Sequence, residues 1–119
     1  MVADVSALAD PNTGVAVYGP VNGRSSGWMA CGGTSVGAAL IAGGYGVNGG
    51  SVNYGSEPYT DYNSSYLWDV TSGSHGNCGN LLCEATSGYD GSTGLGTPYG
   101  SAAFWFLAGR STHPVKRFL

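Results

Sequence analysis

Charge is scarce in this sequence. Asp, Glu, Lys and Arg make up 9% of its 119 residues, and the formal net charge is -3. The cations are Arg24, Arg110, Lys116 and Arg117, so residues 1–109 hold only one. A nucleic-acid-binding face needs several cations together, so no nucleic-acid partner is expected. The basic end reads as a solvated terminus. Long apolar runs are also missing. The longest, Ala102–Ala108, falls far short of the roughly 20 residues of a membrane-spanning helix, so no membrane partner is expected. Met1-Val2-Ala3-Asp4 has neither the basic start nor the apolar stretch of a signal peptide.

What is abundant is glycine, with 22 residues, alongside Ser, Thr, Asn and Tyr. A helical bundle or coiled coil is excluded, because each Gly inside a helix costs about 1 kcal/mol. Collagen is excluded because the glycines show no three-residue period. The 42% hydrophobic content and 12% aromatics argue for order. The length suits one small, turn-rich domain, with a composition common in secreted proteins.

Cys31, Cys78 and Cys83 make an odd count. Cys78 and Cys83 are close enough to pair as a small loop disulfide, which favours an oxidising compartment and leaves Cys31 as a buried free thiol. A zinc site from His75, Cys78, Cys83 and a distant fourth ligand is the alternative. Asn63-Ser64-Ser65 fits the glycosylation acceptor rule.

Along the chain, Asp4–Ala9 reads as extended and Asp10–Gly14 as a turn. Val15–Tyr18 reads as a strand, Gly19–Gly27 as a loop, and Trp28–Cys31 as a short buried strand. Val36–Ala42 is small and apolar on nearly every side, which predicts a buried helix. Thr34 would cap it and Gly43-Gly44 would end it. Residues 45–66 read as loop, Leu67–Gly96 as irregular, and Tyr99–Ala108 as a final helix after Pro98. A strand, a Gly-rich turn and a buried helix point to an α/β layer.

Two constellations could carry chemistry. Gly32-Gly33-Thr34-Ser35 places a hydroxyl where the chain turns into a helix. The helix dipole and the backbone N–H groups there would stabilise an oxyanion, as a serine nucleophile requires. An ordinary Ser in a Gly-rich turn fits the same residues. His75 and His113 are the only histidines, and neither has a setting that suggests a catalytic imidazole. Asp69-Val70-Thr71-Ser72-Gly73 and Ser87-Gly88-Tyr89-Asp90-Gly91 each bring one carboxylate in a turn-rich segment. With loop carbonyls they make an oxygen-only set that suits Ca²⁺, although each Asp could merely cap a turn.

Taken in order, four segments resemble the sedolisin family of serine-carboxyl peptidases. They are Asp4-Val5-Ser6-Ala7 with Ala9–Gly14, then Gly32-Gly33-Thr34-Ser35-Val36, then Asp69–Gly73, and then Gly88–Pro98. The resemblance covers roughly residues 3–104. It implies a partial peptidase domain over 1–104 and an unmatched tail over 105–119. The implied fold class is α/β, the C-terminal fragment of a subtilisin-like doubly wound parallel sheet with a long Gly-rich calcium-binding loop region. Ser35 is implied as the nucleophile. Asp69 and Asp90, with the carbonyls of Val70, Thr86 and Gly88, are implied as ligands of Ca²⁺. Proteolysis of a protein or peptide substrate and an extracellular location follow from the same resemblance.

The family's Glu base, its partner Asp and its oxyanion Asp have no match here. Ala39 stands where the family usually has Pro, Ala3 likewise, and Thr86 replaces a usual Gly. The expected function is therefore a partial serine-type endopeptidase, inactive alone, with a companion upstream fragment as a candidate source of the acids. The alternatives are a secreted non-enzymatic Gly/Tyr-rich module with a structural calcium loop, and an independent serine hydrolase using His75. The isolated chain is expected to associate, because its apolar helix would lack neighbours.

Overall fold

The computed structural model describes residues 3–21, 23, 25–48, 56–60 and 62–107. His113, Asp61 and the tail from residue 108 lie outside them. A one-turn 3-10 helix, Pro11–Thr13, follows the extended N-terminal segment, and the Asp10 side chain caps it by accepting the Asn12 N–H at 2.9 Å.

Strands β1 (Val15–Pro20) and β2 (Ser26–Cys31) then form an antiparallel hairpin, with Val15 opposite Cys31 and Pro20 opposite Ser26. The connection between them is too short for anything else, since parallel neighbours need a crossover of a dozen or more residues. Tyr18 and Trp28 face each other across the pair, with ring centroids 5.4 Å apart. The expected burial of β2 is not observed. Its residues alternate between exposed and half-buried, and Trp28 is exposed.

Helix α1 spans Thr34–Asn48, longer than the predicted seven residues. Gly43-Gly44 does not end it. At Gly44 the absent side chain makes room for the Phe104 ring, which any Cβ there would strike. Packing thus overrides the weak helix propensity of glycine. Nor is the helix buried on every side: Gly37 is buried, whereas Ala38, Ala39, Leu40, Ala42 and Val47 are exposed.

Helix α2 (Glu57–Thr60) is a single turn. Strands β3 (Leu67–Trp68) and β4 (Thr97–Pro98) pair antiparallel, and helix α3 spans Ala102–Leu107. Between Asp69 and Gly96 the chain has no helix or strand beyond two isolated bridges, Ser74–Glu84 and Asp90–Gly94. Among the described residues the buried apolar side chains are Pro58, Leu67, Ala103 and Phe104, and Ile41, Tyr45 and Tyr66 pack against the last two.

The doubly wound parallel sheet expected from the sequence is absent. The described strands form two separate two-stranded antiparallel sheets, β1–β2 and β3–β4. The strand, Gly-rich turn and helix follow one another in the expected order, but β1 pairs antiparallel with its neighbour in the chain. No described helix is long and apolar enough to cross a membrane.

Candidate functional site

Ser35 is the second residue of α1. Gly33 enters the helix at a φ of 121°, a conformation that L side chains rarely adopt. Its N–H donates to the Ala9 carbonyl at 2.6 Å, which ties the turn to the N-terminal segment. Its own carbonyl accepts the Val36 and Gly37 N–H groups at 3.0 and 3.3 Å. Gly33 therefore occupies the cap position expected of Thr34, and Thr34 and Ser35 lie in the first turn. Their N–H groups precede the first intrahelical bonds and sit at the positive end of the dipole.

The Ser35 side chain is exposed, and its hydroxyl makes no hydrogen bond among the described residues. No described His, Asp or Glu side chain touches it. His75 lies in an exposed loop, where its backbone N–H donates to the Cys83 carbonyl. The geometry offers an open hydroxyl in a favourable field, with no base attached.

The second constellation is more closed. Asp90 is fully buried. Its Oδ1 accepts the N–H groups of Ser92 (2.9 Å) and Thr93 (2.8 Å), and its Oδ2 accepts the Thr86 N–H (3.1 Å). The Thr93 hydroxyl lies within reach of both oxygens. Burial by itself would raise the carboxyl pKa. The bonds from Thr93, Thr86 and Ser92 outweigh it and hold the pKa below its ordinary value. The turn-capping reading of Asp90 is thus realised.

Asp69 reaches the same stretch from the end of β3, where its Oδ2 accepts the Gly88 N–H at 2.7 Å. Its Oδ1 is buried without a hydrogen-bond partner. An orphaned buried acceptor costs on the order of 1–3 kcal/mol, and more when charged. The carbonyls of Val70, Thr86 and Gly88 also accept no hydrogen bond from the described residues. Asp69 and the three carbonyls therefore keep oxygens without a partner, whereas Asp90 already accepts three N–H groups and the Thr93 hydroxyl, about the full capacity of a carboxylate. No three His, Cys, Asp or Glu side chains gather as a metal cluster among the described residues. The oxygens left without a partner are Asp69 Oδ1 and backbone carbonyls, hard donors of the kind that Ca²⁺ takes.

Cys78 and Cys83 form a disulfide with Cα atoms 5.8 Å apart, and Cys31 is free and half-buried. The pairing takes both sulfurs out of the alternative zinc site.

Sequence reasoning missed two features. The Tyr59 hydroxyl donates to Asp4 Oδ1 at 2.7 Å; burial first, and then this bond, make it a weaker acid than ordinary tyrosine. An open apolar pocket of about 270 Å³ lies between Ala7, Leu8, Leu40, Ile41, Pro98 and Phe104. These residues come from distant parts of the chain, so their convergence is not a local property. In comparisons with known proteins, no family model, no curated protein and no solved structure matches the chain.

Proposed function

We propose that this chain is the nucleophile and calcium portion of a serine-type endopeptidase of the sedolisin type, acting outside the cell on protein or peptide substrates. The observation that carries the reading is the exposed, unbonded Ser35 hydroxyl on the first turn of α1, behind the Gly33 turn. The reading rests on this site rather than on the fold class.

In acyl transfer the Ser35 Oγ would attack the scissile carbonyl while a base removes its proton. The oxyanion so formed would meet first-turn N–H groups and the dipole of α1. No described side chain is placed to take the proton. A companion segment bearing Glu and Asp side chains would supply the base, and the chain alone is inactive. Carboxyl groups in that role favour acidic conditions, where one of them stays protonated and can donate.

Asp69, Asp90 and the carbonyls of Val70, Thr86 and Gly88 would hold Ca²⁺. The ion would neutralise the two carboxylates and order the loop, without entering the reaction.

The test joins the chain to the polypeptide encoded in frame upstream. A segment carrying a Glu and two Asp residues should confer proteolysis of unfolded protein below about pH 5, where carboxyl groups titrate, and Ser35→Ala should abolish it. A joined protein without such activity would remove the peptidase reading. The buried, unpartnered Asp69 Oδ1 favours, in that event, the second reading: a secreted non-enzymatic module in which calcium stabilises a loop.

A further inference from the structure

We propose that the Cys78–Cys83 disulfide is a positioning element for the calcium loop, setting its affinity for Ca²⁺ by holding the two halves of the ligand set together. The inference rests on the calcium reading above. The expected ligands come in two groups, Asp69 with Val70 and Thr86 to Asp90, and the chain between them must fold back on itself.

That return is zipped by three contacts: the Ala85 N–H donates to the Gly73 carbonyl at 3.0 Å, Ser74 bridges Glu84, and the His75 N–H donates to the Cys83 carbonyl at 3.0 Å. The disulfide lies at the far end of this ladder. Within the closed loop, the Asn80 carbonyl accepts the N–H groups of Cys83 and Glu84, both at 3.0 Å. The Leu81 carbonyl then accepts the N–H of Gly91, next to Asp90, at 2.7 Å. The cross-linked turn therefore holds the ladder on one side and the Asp90 turn on the other. Ladder and turn together hold Gly88 against Asp69 and Thr86 against Asp90.

Most of this segment is exposed to water, and little apolar packing holds it. Opening the disulfide frees the turn, so binding of the ion must then order more chain. The chain-entropy relation for so short a closed loop limits the loss of affinity to about 30-fold. The ladder hydrogen bonds reduce this, and about tenfold is expected.

The experiment measures Ca²⁺ binding by calorimetry to the full chain carrying Cys31→Ser, oxidised and after reduction with a dithiol. In the reduction two electrons and two protons pass to the S–S bond, two thiols form, and the dithiol closes to its own disulfide. A rise in Kd of threefold or more on reduction supports the proposal, and a smaller rise overturns it while the calcium reading stands. No binding to the oxidised chain, shown folded by circular dichroism, would overturn both.

Linkage supplies a second measurement in case the reduced chain unfolds. Because coupling is reciprocal, saturating Ca²⁺ must make the disulfide harder to reduce by the same factor. A reduction equilibrium indifferent to Ca²⁺ would also overturn the proposal.

Discussion

Asp90 is fully buried and both its carboxylate oxygens are hydrogen-bonded, whereas Ser35 is exposed and bonded to none of the described residues. The same contrast extends to their surroundings. Within the loop from Asp69 to Gly96, Asp90 gathers the N–H groups of Thr86, Ser92 and Thr93, a disulfide closes the turn beside it, and the N-terminal segment bonds Gly91, Leu95 and Gly96, while Asp69 Oδ1 has no partner. Helix α1 instead presents Ala38, Leu40, Ala42 and Val47 to water. An apolar helix face so placed stands to gain from a covering surface. The Asp69–Gly96 loop therefore carries more of its own polar bonding than α1, whose apolar face is left open.

The strongest way to break this contrast is to remove its shared support. Phe104→Ala takes away the ring that fills the space at Gly44 and packs on Tyr45. It should cost about 3–5 kcal/mol, as read by urea denaturation, with α1 loosened more than the loop in hydrogen exchange. Equal loss of protection in both would dissolve the distinction.

Asp90→Ala comes next. It strands three N–H groups in a buried turn and should cost about 3 kcal/mol even in chelator. A loss under about 1 kcal/mol would mean that the turn does not need its carboxylate.

Acid should act on the same contact. The folded pKa of Asp90 lies below the ordinary 3.8, so its contribution is complete above that value and disappears as pH falls through the lower one. With chelator present, stability attributable to Asp90 should hold down to about pH 4 and decline below it. Acid melts of the wild type and Asp90→Asn should converge in that range; parallel curves would contradict the assignment.

The smallest effect belongs to the exposed helix. Val47→Lys should change stability by less than about 0.5 kcal/mol while reducing self-association in sedimentation velocity. Unchanged association would locate the sticky surface elsewhere.

Much of this contrast was legible in the sequence. The runs Val15–Tyr18 and Trp28–Cys31 lie within β1 and β2, and Thr34 and Ser35 do open a helix. The separated Asp69 and Asp90 segments do converge on residues 86–88. Cys78 and Cys83 were near enough to suggest their own pairing. What escaped is non-local. Whether β1 pairs across a helix or with its neighbour depends on the hairpin turn, and composition alone does not fix that. The full extent of α1 depends on Phe104, far along the chain, packing against a glycine that would otherwise end a helix. The Tyr59–Asp4 bond and the pocket beside Leu40 likewise join residues with no sequence relation.

The central proposal is that Asp69, Asp90 and the carbonyls of Val70, Thr86 and Gly88 hold Ca²⁺. It is tested most directly by thermal melts with Ca²⁺ or chelator, on the wild type, Asp69→Ala and Asp10→Ala. At a hundredfold excess over Kd, bound Ca²⁺ contributes about 2.7 kcal/mol, a rise in Tm of about 10 °C. The account predicts that rise for the wild type and for Asp10→Ala, whose carboxylate only caps the 3-10 helix. Asp69→Ala should show no rise, and Mg²⁺ should substitute poorly because it keeps its waters. A folded wild type that melts at the same temperature in Ca²⁺ and in chelator would contradict the account.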